Sequence, residues 1–341
     1  MATGQVRSVR VSRRVLGLIL LAVGVVAIIL ISLAFGTRQI AFDAVVAAIL
    51  DPDPSNNDHD VVRDLRVPRT IIGLLAGAAL AVAGGIMQGL TRNPLADPGL
   101  LGVNAGASLF VVLGITFLGV TAASGYIWFA FAGAAAATVL VYAVGSGRRG
   151  SPTPVTLTLS GAAVTAVLTS AITLVLLSNL DTLNQYRFWS VGSLVGRDLS
   201  AVSVVVPFLG LGLLLAAIVS RMLNVLALGD DVARGLGQNV MLARVLAGIA
   251  IVILCGGATA IAGPIVFVGL VVPHIVRRFT GPDYRWILAY SVLLGPILLV
   301  LADVVGRLIV QPTELEAGIV VAFLGAPMLI ALVRRSRVGA L

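Results

Sequence analysis

The sequence predicts an all-α polytopic membrane protein with about ten transmembrane helices. Three observations carry this. Mean hydropathy is +1.07. Charged residues make up 11% of the chain, against about 25% in a soluble domain. Apolar stretches of roughly 20 residues, the length that crosses a bilayer as a helix, recur between short polar links.

The first apolar run, 15–35, follows a polar tail (1–14) with four arginines. It has span length and no small-residue cleavage site, so it is expected to remain as an anchor. The second run, 68–90, carries Gly73 and Gly77, then Gly85 and Gly89. Small residues four apart let helix backbones approach closely. The third, 99–119, is interrupted by Asn104 and several glycines. Runs follow at 124–145, 155–178, 200–220 and 242–262. The eighth, 263–279, is broken by Pro264 and Pro273, which a helix buried among others tolerates. Runs at 286–306 and 316–333 complete a single transmembrane domain, 15–333, before a C-terminal tail, 334–341.

Two links are longer. Segment 36–67 is acidic, and its DPDPSNNDHD stretch at 51–60 reads as a turn-rich loop. Segment 179–199 holds Tyr186, Phe188 and Trp189, aromatics that suit a short helix at the membrane interface.

All 23 basic residues are arginine. Without lysine, the chain lacks the phosphate-binding loop of P-loop ATPases. With ten spans and the N-terminus inside, 16 of the 23 arginines fall on the inner side, as the positive-inside rule requires. The net charge of +8 thus sits in loops at span ends and is no nucleic-acid signature.

Catalytic and metal-binding patterns are missing from the sequence. It has no H-E-x-x-H, no G-x-S-x-G and no paired histidines. His59 and His274 fall on opposite sides of the membrane, and His274 reads as a hydrogen-bonded residue near a helix end. Cys255, the single cysteine, reads as a small core residue. Asp303 and Arg307, four apart, are placed to pair along a helix. An ion-coupled secondary transporter needs ion-coordinating groups near mid-membrane, and Asp303 is the only acid deep enough to serve one.

The loop LALGDDVARGLG at 226–237 is too polar and too short to cross the membrane. Leu228, Val232 and Leu236 fall at i, i+4, i+8, one apolar stripe on a helix. Asp230 and Asp231 follow Gly229 at the positive helix start, and Gly235 and Gly237 are placed to end it. Arginine counting puts this loop in the cytoplasm. Such a helix is either an ordinary ordered loop or a handle for a soluble partner. The inner turn NPLADPG at 93–99 is either a rigid turn or a constriction at the mouth of a pathway.

RVPR at 66–69, NPLADPGLLGVNAGA at 93–107, LALGDDVARGLG at 226–237, GPIVFVGLVVPHIVRR at 263–278, and ELEAG with FLGAP within 314–327 occur in that order. Together they resemble the FecCD-type permeases of bacterial ATP-driven importers for ferric siderophores, haem and vitamin B12, over nearly the whole chain. The resemblance implies a dimer of ten-helix subunits in the bacterial cytoplasmic membrane, with both termini cytoplasmic. Two cytoplasmic ATP-binding-cassette ATPase subunits would use ATP and Mg, and this chain would hold no cofactor. An extracytoplasmic binding protein would deliver the chelate. The loop Leu228, Gly229, Asp230, Asp231, Val232, Ala233, Arg234, Gly235, Leu236, Gly237 would form coupling helices seated in the ATPase. Asp230 stands where a glutamate is more usual. Arg66, Arg69 and Arg307 would pair at the outer surface with glutamates of the binding protein. Asn93 and Leu95 would form an inner gate, with Thr153, Pro154 and Val155 as a second element. The implied function is translocation of a ferric siderophore, with haem or cobalamin as alternatives.

Overall fold

The computed structural model describes residues 2–53, 55–120, 123–146, 153–196 and 199–338. Arg148, Arg149 and Arg197, used in the charge count, and residues 339–341 of the C-terminal tail lie outside the described residues. Among those described, the chain is built from helices. They are α1 (Ala2–Ala34), α2 (Phe42–Leu50), α3 (Asn57–Asp60), α4 (Val67–Thr91), α5 (Val103–Leu118), α6 (Ala123–Ser146) and α7 (Pro154–Ser178). There follow α8 (Leu180–Ser190), α9 (Leu199–Leu226), α10 (Asp230–Gly235), α11 (Val240–Ala262), α12 (Val268–Thr280), α13 (Tyr284–Ile309) and α14 (Ala317–Val338).

A helix stands at each of the ten expected spans. Seven are long and apolar enough to cross a membrane, in α1, α4, α6, α7, α9, α11 and α13. The apolar parts of α5 and α14 are shorter. The eighth span differs most from expectation. Residues 263–267 are not helical, and α12 has 13 residues, about 20 Å at 1.5 Å per residue. That is short of the ~30 Å hydrocarbon core. Gly263 and Phe267 both take left-handed backbone angles, and a Cβ on Gly263 would meet the Trp189 carbonyl at 2.2 Å. The break is packed against α8 and the residues after it, where irregular backbone at membrane depth is tolerated.

The helix α4 is the centre of the bundle, and most of its residues are buried. Its glycines are the reason. A Cβ on Gly77 would lie 2.6 Å from the Gly295 carbonyl oxygen in α13, and one on Gly84 would lie 1.9 Å from that of Gly269 in α12. Backbone therefore meets backbone on two sides, as the small-residue spacing implies. Gly106 and Gly133 make the same contact between α5 and α6.

Two polar links also fold. The aromatic segment forms α8, with Trp189 buried and its ring 5.9 Å from that of Tyr186. The acidic 36–67 segment is not all loop. Residues 42–50 form α2, which buries Val45 and Ala48 against Leu33, Ile40 and Val62. A turn of wider helix over Val61–Arg66 then runs directly into α4.

The expected tails are helical as well, since α1 extends back to Ala2 and α14 on to Val338. Successive spans alternate in direction. The loops around 92–98, 227–239 and 281–283 therefore share one end of the bundle, the α10 end. Residues 35–66, 179–196 and 310–316 share the other, the α2 end.

Candidate functional site

At the α10 end, residues 230–235 form the short helix expected within 226–237. Gly229 opens it with φ of 105°, a backbone angle that L side chains rarely adopt. Its other end is closed by two backbone bonds, Gly237 N–H to the Arg234 carbonyl and Gln238 N–H to the Ala233 carbonyl. Gly237, at φ 79°, supplies the left-handed residue that this closing motif requires. Ala233 is fully buried, while Leu228, Val232 and Leu236 are 61%, 50% and 64% exposed. The apolar stripe thus faces away from the chain.

The two adjacent acids diverge. The Asp231 side chain is 99% exposed and, among the described residues, pairs only with Arg234, at 3.0 Å. The Asp230 carboxylate turns inward. One oxygen accepts from Arg244 Nη2 at 2.6 Å, and the other lies 3.3 Å from Arg92 Nη2. Arg244 belongs to α11. Arg92 is the residue after α4, held in the left-handed conformation at φ 52°.

Arg92 leads straight into the N-P-L turn. The Asn93 side chain accepts the Leu95 N–H at 2.9 Å, and the Ala96 N–H reaches the Asn93 carbonyl. Asn93 and Leu95 are half-buried. Asp97 caps the next turn through the Gly99 N–H. On that turn rests α7: a Cβ on Gly161 would lie 1.7 Å from the Leu100 carbonyl oxygen. Thr153 caps α7 by accepting the Thr156 N–H, and Val155 is 67% exposed. Pro154 is the first residue of that helix.

At the α2 end, the three arginines expected at the outer surface are buried, at 5%, 8% and 2% exposure for Arg66, Arg69 and Arg307. This corrects their expected placement. Arg66 donates to the carbonyls of Leu33, Ala34 and Arg38. Arg69 grips Asp303 through Nε and Nη2 and reaches Glu314 through Nη1. Arg307 donates to the same Asp303, one turn earlier on α13, and to Ser32 and the Phe35 carbonyl. A buried guanidinium is tolerated because each is paired or spends its donors on carbonyls. Asp303 therefore stands between two arginines rather than as an isolated acid.

Arg69 and Glu314 line two cavities at this end, of about 440 and 240 Å3. The larger also meets Tyr126, Gln185 and Trp189. Exposed charge at this end lies elsewhere. The Arg38 side chain, 55% exposed, pairs with Asp58 at 2.7 Å. Asp53 carries the Ser55 hydroxyl and amide on one oxygen, and these hold its carboxyl below the usual carboxylate range.

Two further polar groups sit inside the bundle. Asn104 accepts the Thr259 hydroxyl at 3.1 Å, with buried Cys255 alongside. His274 lies in the middle of α12 rather than at a helix end, and its Nε2 is buried with no hydrogen-bond partner among the described residues. Among the described residues no cluster of His, Cys, Asp or Glu is arranged to hold a metal ion.

Sequence reasoning placed the 230–235 helix and the Asp303–Arg307 pair, both of which rest on local spacing. It missed Arg92 and Glu314 as partners because those contacts join residues far apart in the chain, and Arg244 because its contact with Asp230, 14 positions away, joins two different helices.

Comparison with known proteins agrees with this architecture. The chain is 47% identical over 335 residues to the ferric enterobactin transport system permease protein FepD of Escherichia coli, covering 97% of this chain and 98% of that one. It is 40% identical to the iron(3+)-hydroxamate import system permease protein FhuB of Bacillus subtilis, over 95% of this chain and 83% of that one. It is 36% identical to the hemin transport system permease protein HmuU of Yersinia pestis, over 93% and 96%. A solved structure of a metal-chelate type ABC transporter in an inward-facing conformation superposes with a TM-score of 0.79 at 25% identity, over 93% of this chain and 98% of that one. The FecCD transport family matches residues 24–335, and the chain belongs to that family.

Proposed function

We propose that this chain is the transmembrane permease subunit of an ATP-driven importer that carries a ferric siderophore into the cytoplasm. The observation that carries the reading is the helix 230–235. It is closed at its C-terminal end by backbone bonds and anchored through Ala233, yet turns an apolar stripe of Leu228, Val232 and Leu236 away from its own chain. An exposed apolar face on an ordered polar loop has the form of a docking surface. The partner proposed for it is a cytoplasmic ATP-binding-cassette ATPase dimer that uses ATP and Mg. In this reading the α10 end and both termini face the cytoplasm, and the protein lies in a bacterial cytoplasmic membrane. The named substrates of FepD and FhuB support a siderophore. That of HmuU keeps haem as the second choice.

A second permease subunit fits against α7. Its outward face carries Thr156, Leu159, Val167, Thr169, Ser170, Thr173 and Leu174, all exposed in the isolated chain. The Ser170 and Thr173 hydroxyls bond their own helix backbone. Hydroxyl-bearing faces within a membrane mark helix contacts or water-lined paths rather than lipid. The gate proposed here comprises Asn93 and Leu95 with Thr153, Pro154 and Val155, all at the end where α7 begins.

An extracytoplasmic binding protein is proposed to dock at the α2 end. Of the three arginines assigned to it by resemblance, Arg69 keeps the strongest case, because its Glu314 partner is 30% exposed and an incoming carboxylate has access there. Arg66 and Arg307 serve this face by bracing it.

Uptake of labelled ferric hydroxamates, ferric catecholates, haem and cobalamin, in cells with and without this protein, tests the substrate. Vesicle uptake tests the energy source. Transport driven by an ion gradient without the ATPase overturns the reading.

A further inference from the structure

We propose that Asp230 is a positioning residue that ties the 226–237 loop to the N-P-L turn through Arg92, so that movement of α10 is passed to Asn93–Leu95. The proposal rests on the functional reading above, in which that loop is gripped by an ATPase.

Three segments meet at the Asp230 carboxylate. Its own helix supplies the acid, α11 supplies Arg244 at 2.6 Å, and the residue following α4 supplies Arg92 at 3.3 Å. Each oxygen serves one arginine, so the carboxylate is a bridge rather than a single pair. The two arms differ. Arg244 is 8% exposed at the side chain and Arg92 is 37% exposed. The first arm is the anchor, and the second is the one that water can replace.

What lies beyond Arg92 makes the second arm informative. Arg92 sits in a left-handed conformation that L residues seldom adopt, and Asn93 follows it directly, folded back on the Leu95 N–H. The turn is therefore stiff, and displacement of Arg92 carries it along. Gly229 brings the loop close, since a Cβ there would lie 3.8 Å from Arg92 Nη1. Asp231, adjacent in sequence, points into solvent and pairs with Arg234. The two acids thus divide the work: Asp231 stands on the face offered outward, and Asp230 on the face turned to the gate.

The test is a double-mutant cycle on Arg92→Gln and Asp230→Asn, with Asp230→Glu as the conservative variant. It is read by ATP-dependent uptake and by co-purification of the ATPase. Arg92→Gln is the cleaner arm, because Arg244 keeps its carboxylate and the fold keeps its buried pair. Expected is a drop in uptake of roughly five- to tenfold for Arg92→Gln, with ATPase co-purification unchanged. The double variant should be no worse than Asp230→Asn alone, and Asp230→Glu should retain transport.

Additive losses, or normal uptake by Arg92→Gln, overturn the proposal, as does loss of ATPase binding in that variant. If the unaltered protein transports without the ATPase, it is the functional reading that falls. The two failures are therefore distinguishable.

Discussion

An arginine–carboxylate cluster stands at each end of α4, and the two are built to opposite specifications. At the α2 end, Asp303 is 1% exposed and is held between Arg69 and Arg307, whose spare donors go to Glu314, Ser32 and the Phe35 carbonyl. At the α10 end, Asp230 is 25% exposed, and its contact with Arg92 is longer and wetter. A buried pair cannot separate without stranding a charge in a medium that solvates it poorly. A half-exposed pair separates at small cost, because water takes its place. One cluster is thus a fixed point, and the other is free to break and re-form. Between them runs a 25-residue helix, about 37 Å at 1.5 Å per residue, locked by backbone contact to α12 and α13. The function proposed above, in which one face is held while the other responds to a partner, calls for that asymmetry.

The comparison breaks most directly at Asp303. Replacing it with Asn leaves Arg69 and Arg307 without their shared counter-charge. The expected loss is about 3–5 kcal/mol, the range for removing one member of a buried pair. Thermal unfolding of the purified protein in detergent measures it. A midpoint unchanged from the native protein would mean that the Asp303 cluster is no more fixed than the Asp230 one.

Next in size is the helix between the clusters. Val at Gly84 places a Cβ where the Gly269 carbonyl oxygen now lies. The helices must then part, at a cost of about 1–3 kcal/mol for overpacking. Ala at Gly210, where nothing lies within 4 Å of an added Cβ, is the control and should be near neutral. Equal effects at the two sites would show that close approach to α12 is not what holds α4.

How far the sequence foretold this contrast depends on the range of each contact. The spans were legible because lipid demands long apolar runs. The helix α10 was legible because its stripe, acids and glycines lie within twelve residues. The Asp303–Arg307 pair follows from four-residue spacing. Arg69 and Asp303, by contrast, are 234 positions apart, and one chain read alone has no signal for such a pair. The resemblance that set Arg66, Arg69 and Arg307 at an outer surface carries no information on their burial, and the partners that bury Arg66 and Arg69 lie 28 or more positions away in the chain. Segment 36–67 reads only as an acidic link, and α2 within it carries no clear signal because its apolar face covers only nine residues between strongly polar flanks. Of the two prolines in the eighth span, Pro273 is tolerated inside α12, whereas the backbone around Pro264 leaves the helix altogether before Val268.

Glu314 sharpens the contrast from the α2 end. Its side chain is 30% exposed and pairs with Arg69, which also holds Asp303. Glu314→Gln removes a carboxylate but strands no charge, so the expected loss is below about 1 kcal/mol. The measurement is the same thermal midpoint, set beside that of Asp303→Asn. A loss as large as that at Asp303 would make the cluster a three-member unit. The proposed opening of Arg69 toward a docking carboxylate would then have no physical basis.

The smallest expected effect on stability lies at Asp231, and it separates packing from partnership. With its side chain 99% exposed and Arg234 its only partner among the described residues, Asp231→Asn removes a contact that solvent already screens. The unfolding midpoint of the isolated protein should not move. Solvent ceases to be the relevant surroundings once an ATPase covers the loop, because a charge within an interface is desolvated and must find a complement. The same substitution should then weaken co-purification of the ATPase and make what remains less sensitive to added salt. Asp230→Asn should do the reverse, lowering the midpoint by removing the carboxylate that Arg244 and Arg92 share while leaving the outward face intact. If Asp231→Asn instead destabilises the isolated permease, the loop is an internal brace, and the division of work between its two adjacent acids is wrong.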